Sequence, residues 1–232
     1  MNRTRELMFR GHPYSISFID PTPYHPSWFS FEDESTVRDA LWTIEPGDVV
    51  LDVGADHGSY TLTALACGAA HVYAWTPPER EPAAHGFLEE SLRLNGWSDR
   101  CDIMTTGVYD RSGWLDTFSQ EFFEAEPEMR PTIIRVDSLD DWRRGLELPK
   151  AHRSWMKLDV EGAEVNVLRG AAKMIGEMRP RITVENHNFK RASLEQEVRD
   201  LLVVWDYIEV STTPYHSVSH SLYVPREDEN HG

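Results

Sequence analysis

Cysteine is scarce in this chain of 232 residues, which has only Cys67 and Cys101. Cys67 falls in an apolar, helix-like stretch and Cys101 opens a strand-like one. Both read as small buried hydrophobes in a reducing compartment, not as a disulfide. Long apolar runs are also missing, since none approaches the roughly 20 residues that span a bilayer. The charged start Met1-Asn2-Arg3-Thr4-Arg5-Glu6 is not followed by an apolar signal segment. A cytoplasmic location and no membrane partner are therefore expected. Positive charge is outnumbered: 23 Lys and Arg face 39 Asp and Glu, a formal net charge of −16. Such a surface repels polyanions and argues against free nucleic acid as a partner. The local run Arg143, Arg144, Lys150 and Arg153 reads as a solvated loop face. Repeats and low-complexity tracts are absent as well. What remains is 40 % hydrophobic residues in a length that suits one α/β domain with a full core.

The first 30 residues are rich in proline and aromatics (Pro13, Tyr14, Phe18, Pro21, Pro23, Tyr24, Pro26, Trp28, Phe29). This excludes a long helix there and predicts an irregular N-terminal arm over residues 1–33 that packs across the domain or lids a pocket. Residues 226–232 read as a polar tail. Between them, 34–225 alternate. Helices are predicted at 34–44, 59–67, 81–95 (stopping at Gly96), 161–176 and 194–203. Strands are predicted at 48–53, 71–76, 102–105, 155–160, 181–185, 205–211 and 219–224, the last two joined by a loop containing Pro214. A small hairpin and a helical turn near Ser138 to Arg143 fill the stretch between 107 and 143. Strands alternating with helices predict an α/β fold with a doubly wound, mostly parallel sheet. Ligands in such sheets sit beyond the carboxyl ends of the strands. That rule selects Asp52 to Gly58, Thr76, Thr106 to Val108, Asp159 to Glu161, and Glu185 to His187.

The loop Asp52-Val53-Gly54-Ala55-Asp56-His57-Gly58 joins a strand to a helix. Gly54 permits a tight turn with no Cβ in the way, and Gly58 lets the helix start close to the sheet. Asp52 orients the loop or accepts from a ligand's ammonium group. The spacing is not G-x-G-x-x-G, which counts against a pyrophosphate cofactor and so against a nicotinamide-dependent oxidoreductase. By itself the glycine pair also fits an ordinary tight turn.

Several ordered blocks carry a resemblance. Residues Gly47 to Thr61 look like motif I of the FkbM family of methyltransferases. Met156-Lys157-Leu158-Asp159-Val160-Glu161-Gly162-Ala163-Glu164 is similar to that family's most specific block. Val167 to Ala171, Arg179 to His187, Leu94-Asn95-Gly96 and Val136 to Leu139 continue it. The resemblance runs from about Glu34 to Val224. It implies a Rossmann-like class I fold with a seven-stranded sheet, S-adenosylmethionine as cofactor, and O-methylation of a small-molecule or glycan hydroxyl. Asp52, Gly54, Ala55, His57 and Gly58 would then shape the methionine and ribose end of the pocket. Thr76 and Pro77 would flank the ribose, and Thr106, Gly107 and Val108 the adenine. Family members usually carry an acid where this chain has Thr76, so weaker or differently shaped cofactor binding is expected, with Glu79 a possible replacement. A binding module that has lost transfer is the rival of another class.

Methyl transfer from a sulfonium is an in-line displacement that depends on alignment, and an oxygen nucleophile also has a proton to lose. Asp159 is expected to position the acceptor, to act as base, or to cap the helix that follows; Asp159 also borders the cofactor. Glu161 and Glu164 are expected in that helix's first turn, where the helix dipole explains acids; Glu161, which fits the family block, is also a candidate to face the pocket and join the catalytic group. His187, after the fifth strand, is the candidate general base, and Glu185 shares its face. Asp159, Glu161, Glu185 and His187 together offer oxygen and imidazole ligands for a divalent metal, which no compact ligand motif favours. His216 and His220 read as ordinary loop and strand residues, and Trp28, Phe29 and Phe31 as packing.

Overall fold

The structure, a computed structural model, describes residues 2–19, 43–79, 82–116, 133–148, 152–188, 191–215 and 218–231. Of the predicted helix over 34–44 only Thr43 and Ile44 are described, and neither is helical; residues 34–42 and Trp28, Phe29, Phe31, Lys150 and His216 lie outside the described residues.

The chain opens with β1 (Asn2–Phe9) and β2 (His12–Ile19), paired antiparallel across Arg10-Gly11. Both turn residues have positive φ, 48° and 83°, the backbone of a two-residue hairpin turn. Residues 2–19 are therefore a hairpin and not the irregular arm expected. Proline excluded a helix there but left strands open, because Pro13 sits near the start of β2. The hairpin does pack across the domain. Ser17 N donates to Ser91 Oγ at 2.8 Å, Ser15 N to Asn95 Oδ1 at 2.8 Å, and Phe9, Tyr14 and Ile16 are buried.

The main sheet holds β3 (Val49–Val53), β4 (His71–Trp75), β5 (Cys101–Met104), β9 (Ser154–Leu158), β10 (Arg181–Asn186), β11 (Tyr207–Tyr215) and β12 (Val218–Pro225). Their order is β11-β12-β10-β9-β3-β4-β5. The five strands from β10 to β5 run parallel, and β12 is antiparallel to both of its neighbours. Pro214 lies inside β11, paired with Ser219, instead of in a loop. β11 is at the edge of the sheet among the described residues, a position where strands accommodate proline.

Alternation along the central strands divides the core between two faces. Val50, Val72, Ala74 and Trp155 pack with α1 (Ser59–Ala66), α2 (Pro82–Asn95) and the hairpin. Leu51, Val53, Met156, Leu158 and Val184 pack against the other helices. These are α4 (Glu164–Gly170), α5 (Ala172–Met178) and α6 (Leu194–Val204). A three-stranded sheet of β6 (Gly107–Val108), β8 (Ile133–Asp137) and β7 (Gly113–Asp116) precedes α3 (Leu139–Arg143), which Ser138 caps.

The helix predicted over 161–176 is instead a turn followed by α4 and α5, broken at Ala171. Asp140 explains the break. Its carboxylate accepts from Lys173 N at 3.1 Å and Met174 N at 2.8 Å, which caps a new helix start. Residues 226–231 form a 3₁₀ helix. No helix among the described residues is long and apolar enough to cross a membrane.

Candidate active site

The register brings the carboxyl ends of the parallel strands level: Val53 pairs with Trp75 and Leu158, Trp75 with Met104, and Leu158 with Val184. The segments 54–58, 76–77, 105–108 and 159–163, together with His187, therefore lie along one edge of the sheet. This is the edge at which doubly wound sheets bind ligands.

Gly54 has φ 84°, and a Cβ built on it would meet Asp159 O at 1.8 Å. The bare backbone that suits a ligand's approach is used here to pack the β3 loop against the β9 loop. Gly58, φ 88°, is the N-cap of α1, and a Cβ there would meet Leu88 Cδ1 at 2.3 Å. No side chain caps α1 and its first turn holds no acid, so its leading N–H groups present an electropositive end. Ala55 is buried, with its N–H on Trp75 O at 2.9 Å. His57 turns across α2. Its ring stacks on Phe87 at 5.5 Å, and Nδ1 lies 2.6 Å from Asp56 Oδ2.

Beneath this loop lies a buried chain of charge. Asp52 Oδ2 accepts from Thr61 Oγ1 at 2.6 Å. Lys157 Nζ lies 3.6 Å from Asp52 Oδ1, donates to Gly54 O at 2.5 Å and to Asp159 Oδ2 at 3.1 Å, and sits over the Tyr60 ring. Burial works against a charged Lys157, but Asp159 and Asp52 outweigh it and hold the ammonium firmly protonated. Burial in turn pushes the Asp52 carboxyl up, against the pull of Lys157 and Thr61. Lys157 is a site residue that the strand-end rule does not select. Its signal was a charge inside the apolar strand Trp155-Met156-Lys157-Leu158, where a lysine is buried only with partners.

Asp159 follows β9 and does not cap the next helix. The N-cap of α4 is Ala163, with no side-chain cap bond. Burial would raise the Asp159 carboxyl, yet Lys157 and His187 bring it below its ordinary value. Glu161 stands in the turn before α4 with φ 57°, not in the helix's first turn as expected, and is exposed. Glu164 is in that first turn but fully buried. Its Oε1 accepts from Gly162 N at 3.0 Å and lies 2.8 Å from His187 Nδ1. On the far side of the ring, His187 Nε2 lies 3.7 Å from Asp159 Oδ1, 3.6 Å from Glu161 Oε2 and 3.6 Å from Glu185 Oε1. Burial lowers the His187 pKa, while the Glu164 bond and the charges of Asp159, Glu164 and Glu161 raise it to about 9. The ring thus stands between the buried Glu164 on its Nδ1 side and three carboxylates on its Nε2 side.

Thr76 is 3 % exposed, and its N–H bonds Met104 O at 3.0 Å; Pro77 beside it is half-buried and Glu79 exposed. Thr106 is half-buried, whereas Gly107 and Val108 are buried as β6. A Cβ on Gly107 would meet Ile134 Cδ1 at 2.8 Å, so this glycine serves the small sheet's packing. His220 is buried in β12 near Glu185. The basic run dissolves into local ion pairs, Arg144 with Asp141 and Arg153 with Glu45 and Asp48. Cys67 and Cys101 are buried free thiols.

Strand order, the one antiparallel strand and the glycine loop after β3 define a Rossmann-like methyltransferase fold of class I. The model of the methyltransferase FkbM domain matches residues 52–209, and the chain belongs to that family. Three solved structures share the fold. The methyltransferase FkbM from Methylobacillus flagellatus KT aligns at 18 % identity and TM-score 0.60, over 81 % of this chain and 46 % of its own. A putative SAM-dependent methyltransferase from Streptococcus mutans aligns at 10 % and 0.54, over 95 % and 55 %. Precorrin-6y C5,15-methyltransferase from Geobacter metallireducens GS-15 aligns at 12 % and 0.50, over 89 % and 91 %. The chain thus spans about half the length of the first two. No curated protein matches it.

Proposed function

We propose that the protein transfers a methyl group from S-adenosylmethionine to a hydroxyl oxygen of a small molecule or glycan. The observation that carries this reading is the continuous link from Asp52 through Lys157 to Asp159, with Gly54 packed on Asp159. It ties a cofactor loop to the place where an acceptor would lie.

Two features fit the cofactor. The uncapped N-terminus of α1 suits a carboxylate such as that of a methionine moiety. Asp52 Oδ1 is buried with no hydrogen bond among the described residues, and so keeps an acceptor for an ammonium group. When bound, S-adenosylmethionine supplies an electrophilic methyl whose leaving group is a neutral thioether. The chain's task is then alignment. Asp159, ionised and fixed by Lys157, accepts a hydrogen bond from the acceptor hydroxyl and sets its direction. Thr76 offers the ribose a neutral partner in place of a carboxylate, which makes a weaker bond. In this reading Pro77 lies beside the ribose and Thr106 to Val108 border the adenine.

The test is calorimetric titration of S-adenosylmethionine, then assay of S-adenosylhomocysteine release with a panel of hydroxylated small molecules and glycans. Binding with release on a hydroxylated acceptor supports the reading. Binding with no release on any acceptor leaves the non-catalytic module, and no binding ends both.

A further inference from the structure

We infer that Asp159, Glu161 and His187, with Glu185 beside them, form a binding site for a divalent cation of the Mn²⁺ or Mg²⁺ type. The three residues come from two different strand ends, yet each offers a ligand atom within 4.8 Å of the others. The spacing separates this cluster from a simple ion pair. A histidine paired with one carboxylate closes on it at about 2.7–2.9 Å. Here three carboxylate oxygens stand around Nε2 at nearly equal distances, 3.6, 3.6 and 3.7 Å. Ligands about 2.1 Å from a common cation stand about 3.0–3.4 Å apart in octahedral or tetrahedral arrangements, which small side-chain movements reach from here.

The ligand atoms are also held from behind. Nδ1 of His187 faces the buried Glu164, which Gly162 N anchors in turn. A histidine metal ligand characteristically engages a carboxylate through its other nitrogen, which fixes the tautomer and aims the free lone pair at the ion. Asp159 has the same kind of support from Lys157 through Oδ2, which leaves Oδ1 directed at His187. His187 is 3 % exposed and Glu161 50 %, so one side of the cluster is walled and the other is open to solvent. An open position is what a catalytic ion requires. Hard oxygen donors with a single imidazole suit Mn²⁺ or Mg²⁺ better than softer ions.

The role rests on the proposed hydroxyl methylation. The open position takes the acceptor's oxygen and lowers its pKa, so that the O–H proton passes to water. That oxygen then forms the new C–O bond as the methyl C–S bond breaks, its electron pair remaining on the neutral thioether.

MnCl₂ is the probe. Protein stripped with chelator is titrated, and free Mn²⁺ is followed by electron paramagnetic resonance. The expected result is one Mn²⁺ per chain, weakened at least tenfold by Glu161→Gln and unchanged by Glu177→Gln, an acid on the far helix α5. Wild-type protein that binds no stoichiometric Mn²⁺, or Glu161→Gln that binds it equally well, overturns the inference. Glu161 is exposed in a turn, so its variant is expected to fold, and calorimetry with S-adenosylmethionine checks this. Lost Mn²⁺ binding beside intact cofactor binding in wild type sinks the cation site alone. Absent cofactor binding sinks the methyltransferase reading.

Discussion

Gly54→Ala tests whether the loop after β3 is built around Asp159. Two costs apply. Alanine at φ 84° is strained by about 1–2 kcal/mol. Its Cβ would also lie 1.8 Å from Asp159 O and 2.8 Å from Asp159 C. These are backbone atoms between two level strand ends, so no rotamer change relieves the overlap. The two loops must part by about 1 Å or more, and overpacking of that kind costs a further ~1–3 kcal/mol. Gly96 supplies the reference, with φ 70° and nothing within 4 Å of its Cβ, so Gly96→Ala carries the φ cost alone. Urea denaturation should place Gly54→Ala about 2–5 kcal/mol below wild type and Gly96→Ala about 1–2 kcal/mol below. Calorimetry should find S-adenosylmethionine binding lost or much weakened only in Gly54→Ala. If the two variants unfold together and both bind the cofactor normally, the close packing of the two loops is not what shapes the site.

Lys157→Met removes the cation from between two buried carboxylates, and an uncompensated buried charge costs about 3–5 kcal/mol, measurable as a lower denaturant midpoint. Asp159→Ala should abolish turnover while cofactor affinity stays within a few fold; a large loss of affinity would assign Asp159 to the cofactor instead. His187 gives a pH signature in chelator-treated buffer. Its folded pKa is about 9 against a reference of 6.5, so its stabilisation is complete below about pH 6.5 and fades as pH rises through 9. The total is about 3 kcal/mol. Urea midpoints should fall over this window in wild type but not in His187→Gln, and parallel curves would refute the assignment.

Much of the fold was legible because chemistry and period agreed. Val49 to Val53 is an apolar, β-branched run interrupted only by Asp52, between Pro46-Gly47 and Gly54, which reads as a strand and is one buried on both faces. Gly96 marked the end of α2. The site was legible in outline, since the strand-end rule picked out the segments that the register brings level. The misses have physical causes. Arg10-Gly11 is a hairpin turn without the usual Asn or Asp, set in a proline-rich stretch that hid two strands. The break at Ala171 is made by Asp140, a long-range cap that local spacing does not reveal. Glu161 looked helical because acids favour a first turn, but its left-handed backbone belongs to the turn that aims it at His187. Lys157 was hidden by alternation, because only the fold shows that Asp52 and Asp159 flank it.

The central claim is methyl transfer from S-adenosylmethionine. Its most direct test is incubation of the purified protein with methyl-labelled S-adenosylmethionine and hydroxylated acceptors, with and without MnCl₂, reading labelled product and S-adenosylhomocysteine together. Equal amounts of both are expected in wild type and neither in Asp159→Ala. Wild-type protein that neither binds the cofactor nor releases S-adenosylhomocysteine with any acceptor would contradict the claim.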